Sequence, residues 1–424
     1  MIRAARLTSL GVALCLSACG GARRQAPATE TSGTPGATAP TSVDTTGATG
    51  VPEAPPAAPS MTPEVAGHLD DAQRAAASGD LTTARAAVEA ASSADRNAAE
   101  PHYNLGVLAE RAGNYPEARQ HYEDALKVQP EFGPAVTAIA LMMLRQGDRD
   151  GATYFAQDRL SRTPQSNSVK NAVNRLRVAT GDIEGAIRES TLVLRADEKN
   201  VEAMKILASA RARQGKNELA AGILRSAAAL DTNDPEIYAK LARAYMAMDE
   251  KPHARAALEK AVALPGGASA EVYNDLGLLY HEAGDFAGAE QMFRQALSRW
   301  PDFPAAQLNL GNALKGQQKY ADAEAAMKRA LDLSPSSADV LFNLGILYLD
   351  GQLPNVEPVV RLQQAVDYFQ RYKQAPGRAQ GPDPVDQYVA EANKRIEVEK
   401  KKAASARKDP KPAPAPASTE GGDK

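Results

Sequence analysis

The sequence predicts an all-α fold, a solenoid of about nine helix-turn-helix pairs. Alanine recurs every 34 residues, glycine recurs where the first helix of each pair should end, and aromatic residues make up only 5% of the chain. Alanine favours closely packed helices, whereas strands are enriched in aromatic and β-branched residues. An array of this kind extends over a long chain because each repeat contacts only its neighbours.

The alanine series sets the period, and only the step from Ala254 to Ala289 needs one extra residue. Its members are Ala84, Ala118, Ala152, Ala186, Ala220, Ala254, Ala289 and Ala323. The glycines are Gly79, Gly113, Gly147, Gly181, Gly215 and Gly284, and prolines 130, 164, 301 and 335 end second helices. The predicted repeats are 65–98, 99–132, 133–166, 167–200, 201–234, 235–268, 270–303, 304–337 and an interrupted 338–375, in which Ala365 comes eight residues late.

These features resemble the tetratricopeptide repeat (TPR) family, whose pattern has a small residue at position 8, glycine near 15, alanine at 20 and 27 and a bulky residue at 24. Residues 99–132 match it nearly throughout. The resemblance implies a right-handed superhelix of paired helices. Asn174, Arg159 and Ser190 depart from positions 8, 27 and 24, so we expect the third and fourth repeats to pack less well than the others.

The flanking segments have a different composition. Residues 383–407 are predicted to form a charged helix that caps the last repeat, since arrays need a polar terminal element. Residues 408–424 are rich in Pro, Ala and Lys, and 19–64 in Ala, Pro, Thr and Gly. Segments with so few large apolar residues cannot bury enough surface to fold, so both are predicted to be disordered.

The amino terminus predicts export. Two arginines precede an apolar segment, 7–16, which is too short to span a bilayer, and residues 1–18 therefore have the pattern of a signal peptide. Leu16-Ser17-Ala18-Cys19 resembles the lipobox of bacterial lipoproteins. That resemblance implies cleavage before Cys19, acylation of its thiol and new amine, and stable anchoring by more than one chain. Because Gly20 stands where an aspartate would retain a lipoprotein at the inner membrane, we expect this protein to be anchored at the periplasmic side of the outer membrane.

Composition and motifs argue against catalysis and nucleic-acid binding. The chain carries 49 basic and 52 acidic side chains, and its two cysteines, Cys15 and Cys19, both lie near the amino terminus. The five histidines show no metal-ligand spacing in the sequence, and we find no phosphate-binding loop or nucleophile motif. We therefore expect no enzyme activity, cofactor, metal ion or nucleic-acid partner.

Recognition of another protein is the function that remains to be considered. In TPR arrays, positions 2, 5, 9, 12 and 13 of the first helices line a binding groove. In repeats three to six these positions are predicted to form a solvent-facing basic arc, able to hold an acidic or C-terminal peptide; an ordinary solvated surface is the alternative. Its cations are Arg145, Arg175, Lys205, Arg213 and Arg243, and Asn104, Asn309 and Asn343 at position 6 are candidates for bonding a peptide backbone.

Three functions fit a lipid-anchored TPR array. The blocks 365–369 and 383–388 are similar to the outer-membrane TPR lipoproteins of the myxobacterial gliding-motility machinery. This implies a scaffold for an envelope machine, with other envelope proteins as partners. There are two alternatives. One is a pilotin-like assembly factor for a secretin, although such factors are usually shorter than this chain. The other is a regulator of a peptidoglycan enzyme.

Overall fold

A computed structural model describes residues 61–77, 79–264, 268–354, 356–376 and 383–408. These residues form nineteen α-helices and no strand. The predicted signal peptide, the lipidation site Cys19, nearly all of the tether and the tail after Lys408 lie outside the described residues. Among those that are described, no helix has both the length and the apolar character that a bilayer span requires.

The described residues divide into two compact units at Thr180/Gly181. The N-terminal unit contains α1 (Pro63–Ala77), α2 (Leu81–Ala94), α3 (Ala99–Arg111), α4 (Tyr115–Val128), α5 (Gly133–Arg145), α6 (Arg149–Arg162) and α7 (Asn167–Thr180). The C-terminal unit contains α8 (Ile183–Ala196), α9 (Val201–Arg213), α10 (Asn217–Leu230), α11 (Pro235–Ala247), α12 (Lys251–Ala263), α13 (Ala270–Glu282), α14 (Phe286–Arg299), α15 (Pro304–Gly316), α16 (Tyr320–Leu333), α17 (Ala338–Asp350), α18 (Pro358–Gln374) and α19 (Val385–Lys408). Within each unit, helices that follow one another pack together, as expected of an all-α repeat solenoid.

The turn inside each of the first eight pairs uses a left-handed residue. All six predicted glycines have φ between 78° and 91°. In the sixth and eighth repeats Asp249 and Gln318 take this place, with φ of 60° and 62°. Since a side chain is strained in this region, the turn geometry is imposed on these two residues by the packing of the helices on either side.

Small residues at two positions allow the paired helices to approach closely. Every alanine of the 34-residue series, and Ala365, is completely buried. At position 8, Gly106 and Gly345 lie under the rings of Tyr122 and Phe369, and a Cβ added to either glycine would come within 2.5 Å of the ring. The small residue at position 8 therefore makes room for the bulky residue at position 24, which fills the pair's interior.

The departures from the repeat pattern leave polar atoms in the interior. In the N-terminal unit, Arg159 Nε and Asn174 Nδ2 are buried and find no hydrogen-bond partner among the described residues. In the C-terminal unit, the same is true of Ser190 Oγ. Each such atom has lost water without replacing its hydrogen bond, which costs roughly 1–3 kcal/mol. Each unit therefore carries a local defect where the sequence leaves the consensus.

The last helix continues the core of the C-terminal unit. α19 packs on α18, and Val385, Ala392 and Ile396 enter the same apolar cluster as Phe369. The ring of Tyr388 stacks on Phe369 with centroids 5.7 Å apart. These contacts give α19 an apolar inner face, while charged residues occupy the rest of its surface.

Candidate functional site

The predicted groove positions lie on the first helix of each pair, and we call this surface the first-helix face. Its residues contact one another along successive first helices. In the C-terminal unit, α9 contacts α11 through Lys205, α11 contacts α13 through Arg243, and α13 contacts α15 through Asn274. From α9 to α15 the face is therefore a continuous row of contacting side chains.

Lys205 is the centre of an internal ion network. Its Nζ lies 3.0 Å from Glu202 Oε2, 2.8 Å from Asp234 Oδ2 and 2.7 Å from Glu236 Oε2. Glu236 also lies 3.3 Å from Lys240 Nζ. Because Asp234 accepts the backbone N–H of Glu236 at 2.8 Å and so caps α11, the network joins α9 to the start of α11.

This network corrects the prediction for Lys205. The residue is only 8% exposed, so the expectation that it faces solvent is wrong. The error has a physical cause: α9 and α11 lie close enough for Asp234 and Glu236, at the start of α11, to join Glu202 of α9 around the ammonium. Three carboxylates of the same chain already use its charge, so Lys205 stabilises the fold instead of awaiting a partner.

The other predicted cations of this unit differ from one another. Arg243 Nε lies 3.8 Å from Asp275 Oδ2. Burial raises the pKa of Asp275 to about 6, although Arg243 opposes this shift. Arg213 is exposed and has no ion-pair partner among the described residues. The predicted basic arc is therefore partly neutralised, and Arg213 keeps the solvent exposure that a recognition residue needs.

The N-terminal unit holds the remaining two cations of the arc. Arg145 pairs with Glu110 of the preceding first helix. Glu110 also accepts a hydrogen bond of 2.8 Å from the hydroxyl of Tyr122, whose ring is completely buried. Arg175 on α7 is half-buried and has interactions within the chain. Arg145 therefore already has an ion-pair partner within the chain.

Two of the predicted asparagines also bond within the chain. Asn309 Nδ2 donates to Asn274 Oδ1 at 2.9 Å, which links α15 to α13. Asn343 Nδ2 donates to the Asp339 carbonyl of its own helix at 2.8 Å. Asn104 is 4% exposed, which removes it from the surface that a bound peptide would touch. The three position-6 asparagines are thus either buried or hydrogen-bonded within the chain.

Lys315 is a groove residue that the sequence reasoning missed. It occupies position 12 of α15, is half-buried, and has no carboxylate within ion-pair distance among the described residues. Burial lowers the pKa of its ammonium, although Asp350 opposes the shift. Position 12 is among the groove positions of the family, and in the eighth repeat it is Lys315.

The first-helix face near Lys315 carries titratable, apolar and amide side chains. Burial lowers the pKa of His281 on α13, and the positive charge of Lys315 adds to this effect. Leu278, one turn earlier on α13, is 37% exposed. Asn312 Oδ1 is buried with no hydrogen-bond partner in the described part of the chain. The unpaired cation and the unused amide oxygen thus both lie on α15, next to His281 of α13, and the exposed Leu278 is one turn from His281.

Comparison with known protein families shows which family of repeat proteins this architecture belongs to. A family model described as "Tetratricopeptide repeat" matches residues 69–157, 175–235 and 308–379, which is more than half of the chain. The chain belongs to the tetratricopeptide repeat family. Two further TPR models match residues 235–265 and 280–326. TPR folds are generally non-enzymatic scaffolds that bind other proteins.

Individual relatives share the repeats over limited stretches. Tetratricopeptide repeat protein 8 of Caenorhabditis elegans is 26% identical over 149 residues, which is 35% of this chain and 29% of that protein. Probable biofilm formation methyltransferase WspC of Pseudomonas aeruginosa is 34% identical over 91 residues, 22% of each chain. The chain thus spans less than a third of the length of these relatives.

A solved structure supports the fold over a longer stretch. The APC/C hetero-tetramer Cut9-Hcn1 contains a chain that superposes with a TM-score of 0.55 at 17% identity. The match covers 78% of this TPR chain and 64% of the other chain. At this identity the likeness concerns the solenoid fold alone.

Proposed function

We propose that this TPR protein is a lipid-anchored scaffold that binds another envelope protein at the periplasmic side of the outer membrane. The motif ending in Cys19 supports the anchor, since acylation there gives more than one lipid chain. The similarity of residues 365–369 and 383–388 to TPR lipoproteins of gliding motility supports an envelope machine of that type as the assembly served.

The observation that carries the binding proposal is the unpaired Lys315. Most other cations of the first-helix face in the C-terminal unit are used by carboxylates of the chain itself, whereas this ammonium is half-buried with none within ion-pair distance among the described residues. A half-buried charge gains more from an incoming carboxylate than a solvated one, because less water screens the pair. An acidic or C-terminal segment with an apolar residue for Leu278 fits this surface.

Crosslinking in cells tests the binding site. A photo-reactive phenylalanine analogue at Leu278 should capture a partner protein, whereas the same analogue at Leu219 on the second helix α10, which is 47% exposed, should not. Lys315→Glu should abolish the Leu278 crosslink, and Arg225→Glu on α10 should preserve it. Capture at Leu219 alone, or an unchanged crosslink in Lys315→Glu, would show that the partner binds elsewhere.

Fractionation tests the anchor separately. Cys19→Ser should prevent lipoprotein processing and remove the protein from the outer-membrane fraction, and Gly20→Asp should shift it towards the inner membrane. A processed Cys19→Ser protein that still fractionates with the outer membrane would contradict lipidation. This result would leave the crosslinking test untouched, because that test depends only on the folded repeats.

A further inference from the structure

The second repeat brings together three side chains that the sequence keeps apart. His102 lies on α3, and His121 and Asp124 lie one turn apart on α4. One potential ligand atom from each residue lies within 4.8 Å of the other two, and all three side chains are half-buried. Spacing in the sequence gave no sign of this group, because His102 reaches the other two only when the hairpin of the repeat closes.

His121 has an imidazole that is already oriented by a carboxylate. Its Nε2 lies 3.6 Å from Glu117 Oε1 on the preceding turn of α4, and Arg85 donates a hydrogen bond to the same carboxylate oxygen. Its Nδ1 is buried and has no hydrogen-bond partner among the described residues. A metal-bound histidine characteristically faces a carboxylate with the ring nitrogen that does not bind the metal. His121 shows this arrangement, with Nδ1 as the unused nitrogen.

Asp124 offers one oxygen to the group. Its Oδ1 accepts hydrogen bonds from Lys127 Nζ at 2.7 Å and from Gln120 Nε2 at 3.1 Å. Among the described residues, no group donates a hydrogen bond to Oδ2. Within the described part of the chain, Lys127 is the one cation paired with Asp124, and its side chain is 68% exposed. An exposed pair of this kind is weak, so a bound cation can displace it at small cost.

We propose that His102, His121 and Asp124 bind a divalent transition-metal ion, with zinc as the best match. Two imidazoles and one carboxylate suit zinc, whereas calcium and magnesium prefer oxygen ligands alone. A tetrahedral zinc ion holds its ligand atoms roughly 3.3 Å apart, so small side-chain rotations must draw the group together. Three protein ligands leave one coordination position for water or for a side chain of a partner.

The consequence for the fold is local. Because His102 belongs to α3 and the other two ligands to α4, the ion would bridge the two helices of the second repeat. A ligand that binds only the folded state stabilises it by mass action. Zinc should therefore slow hydrogen exchange in α3 and α4, and leave exchange in the C-terminal unit unchanged.

Calorimetric titration of zinc into the full chain tests the proposal. Cys15→Ser and Cys19→Ser are introduced first, so that thiolates do not bind the metal. One zinc ion should then bind per chain, and His102→Gln or His121→Gln should each weaken binding at least about ten-fold. His253→Gln and His281→Gln, which alter histidines of the C-terminal unit, should leave the affinity unchanged.

A gain-of-affinity variant guards against loss through misfolding. Lys127→Gln removes the competitor of the metal without touching a ligand, and it should tighten zinc binding several-fold. With Co²⁺ as a spectroscopic probe, the parent chain should give the visible bands of a nitrogen and oxygen site, and His121→Gln should lose them. Affinity that is equal in the parent chain, His102→Gln and His121→Gln would overturn the proposal, as would zinc binding that Lys127→Gln leaves unchanged or weakens.

Discussion

Replacing Lys205 by methionine should open the junction between α9 and α11. Methionine keeps the length of the apolar stem and removes the ammonium, so the change isolates the charge. The side chains of Asp234 and Glu236 are only 13% and 12% exposed, and each lies within 2.8 Å of the ammonium that is lost. Glu202 is 35% exposed and contributes less, because water screens it.

The expected destabilisation is about 3–5 kcal/mol, the range for breaking a buried ion pair and leaving its partner charged. Lys240, at 3.3 Å from Glu236, remains and keeps the loss from rising further. Lys205→Glu should cost more, because a fourth carboxylate would enter the same space. A groove variant that includes Lys205→Glu would therefore damage the fold before any effect on binding could be measured.

Hydrogen exchange followed by mass spectrometry is the suitable assay, since repeat arrays open locally. Lys205→Met should accelerate exchange in α9 and α11 by more than a hundred-fold, the factor that corresponds to about 3 kcal/mol. Arg213→Met, which alters the exposed cation at the end of α9, should change exchange by less than about three-fold. Adding Glu236→Gln to Lys205→Met should restore part of the protection. Equal exchange in the two single variants, or no recovery in the double variant, would refute the role assigned to Lys205.

Three further predictions concern packing, turns and pH. Gly345→Ala should destabilise the ninth repeat by about 1–3 kcal/mol in urea unfolding, because the new methyl meets the ring of Phe369. Gly222→Ala in α10, where the new methyl meets only the end of the Arg225 side chain at 3.9 Å, should be neutral or stabilising. Gln318→Gly should stabilise by about 0.5–1 kcal/mol, since it relieves a positive φ; a loss would contradict this. The raised pKa of Asp275 means that the folded state binds its proton more tightly, so stability should fall on the order of 2 kcal/mol between about pH 4 and 7, and Asp275→Asn should flatten that slope.

The repeats are predictable from sequence because their determinants are local and recur. The completely buried alanines and the left-handed glycines appear in the sequence at the period that the structure shows. Asn174 and Ser190 also mark in the sequence the places where buried polar atoms are found. A fixed period works as a guide since each repeat meets the same two neighbours and must satisfy the same packing.

The prediction of the groove failed where it depended on neighbouring repeats. Lys205 and Lys315 both occupy groove positions on first helices, and the position rule treats them alike. The carboxylates Asp234 and Glu236, at the start of the next first helix, surround Lys205, whereas Lys315 has no carboxylate at ion-pair distance among the described residues. Whether such a lysine is available for recognition is a property of the pair of repeats.

By itself, the sequence determined the all-α repeat solenoid, the six glycine turns and the identity of the core alanines, because helix propensity and a fixed period act over a single repeat. Only the tertiary structure decided that Lys205 is buried in an ion network and that His102 meets His121 and Asp124. Both outcomes depend on how closely neighbouring helices approach. Coulombic and ligand contacts act over a few ångströms, so side chains that are 19 or 29 residues apart in the chain become partners only when packing brings them together.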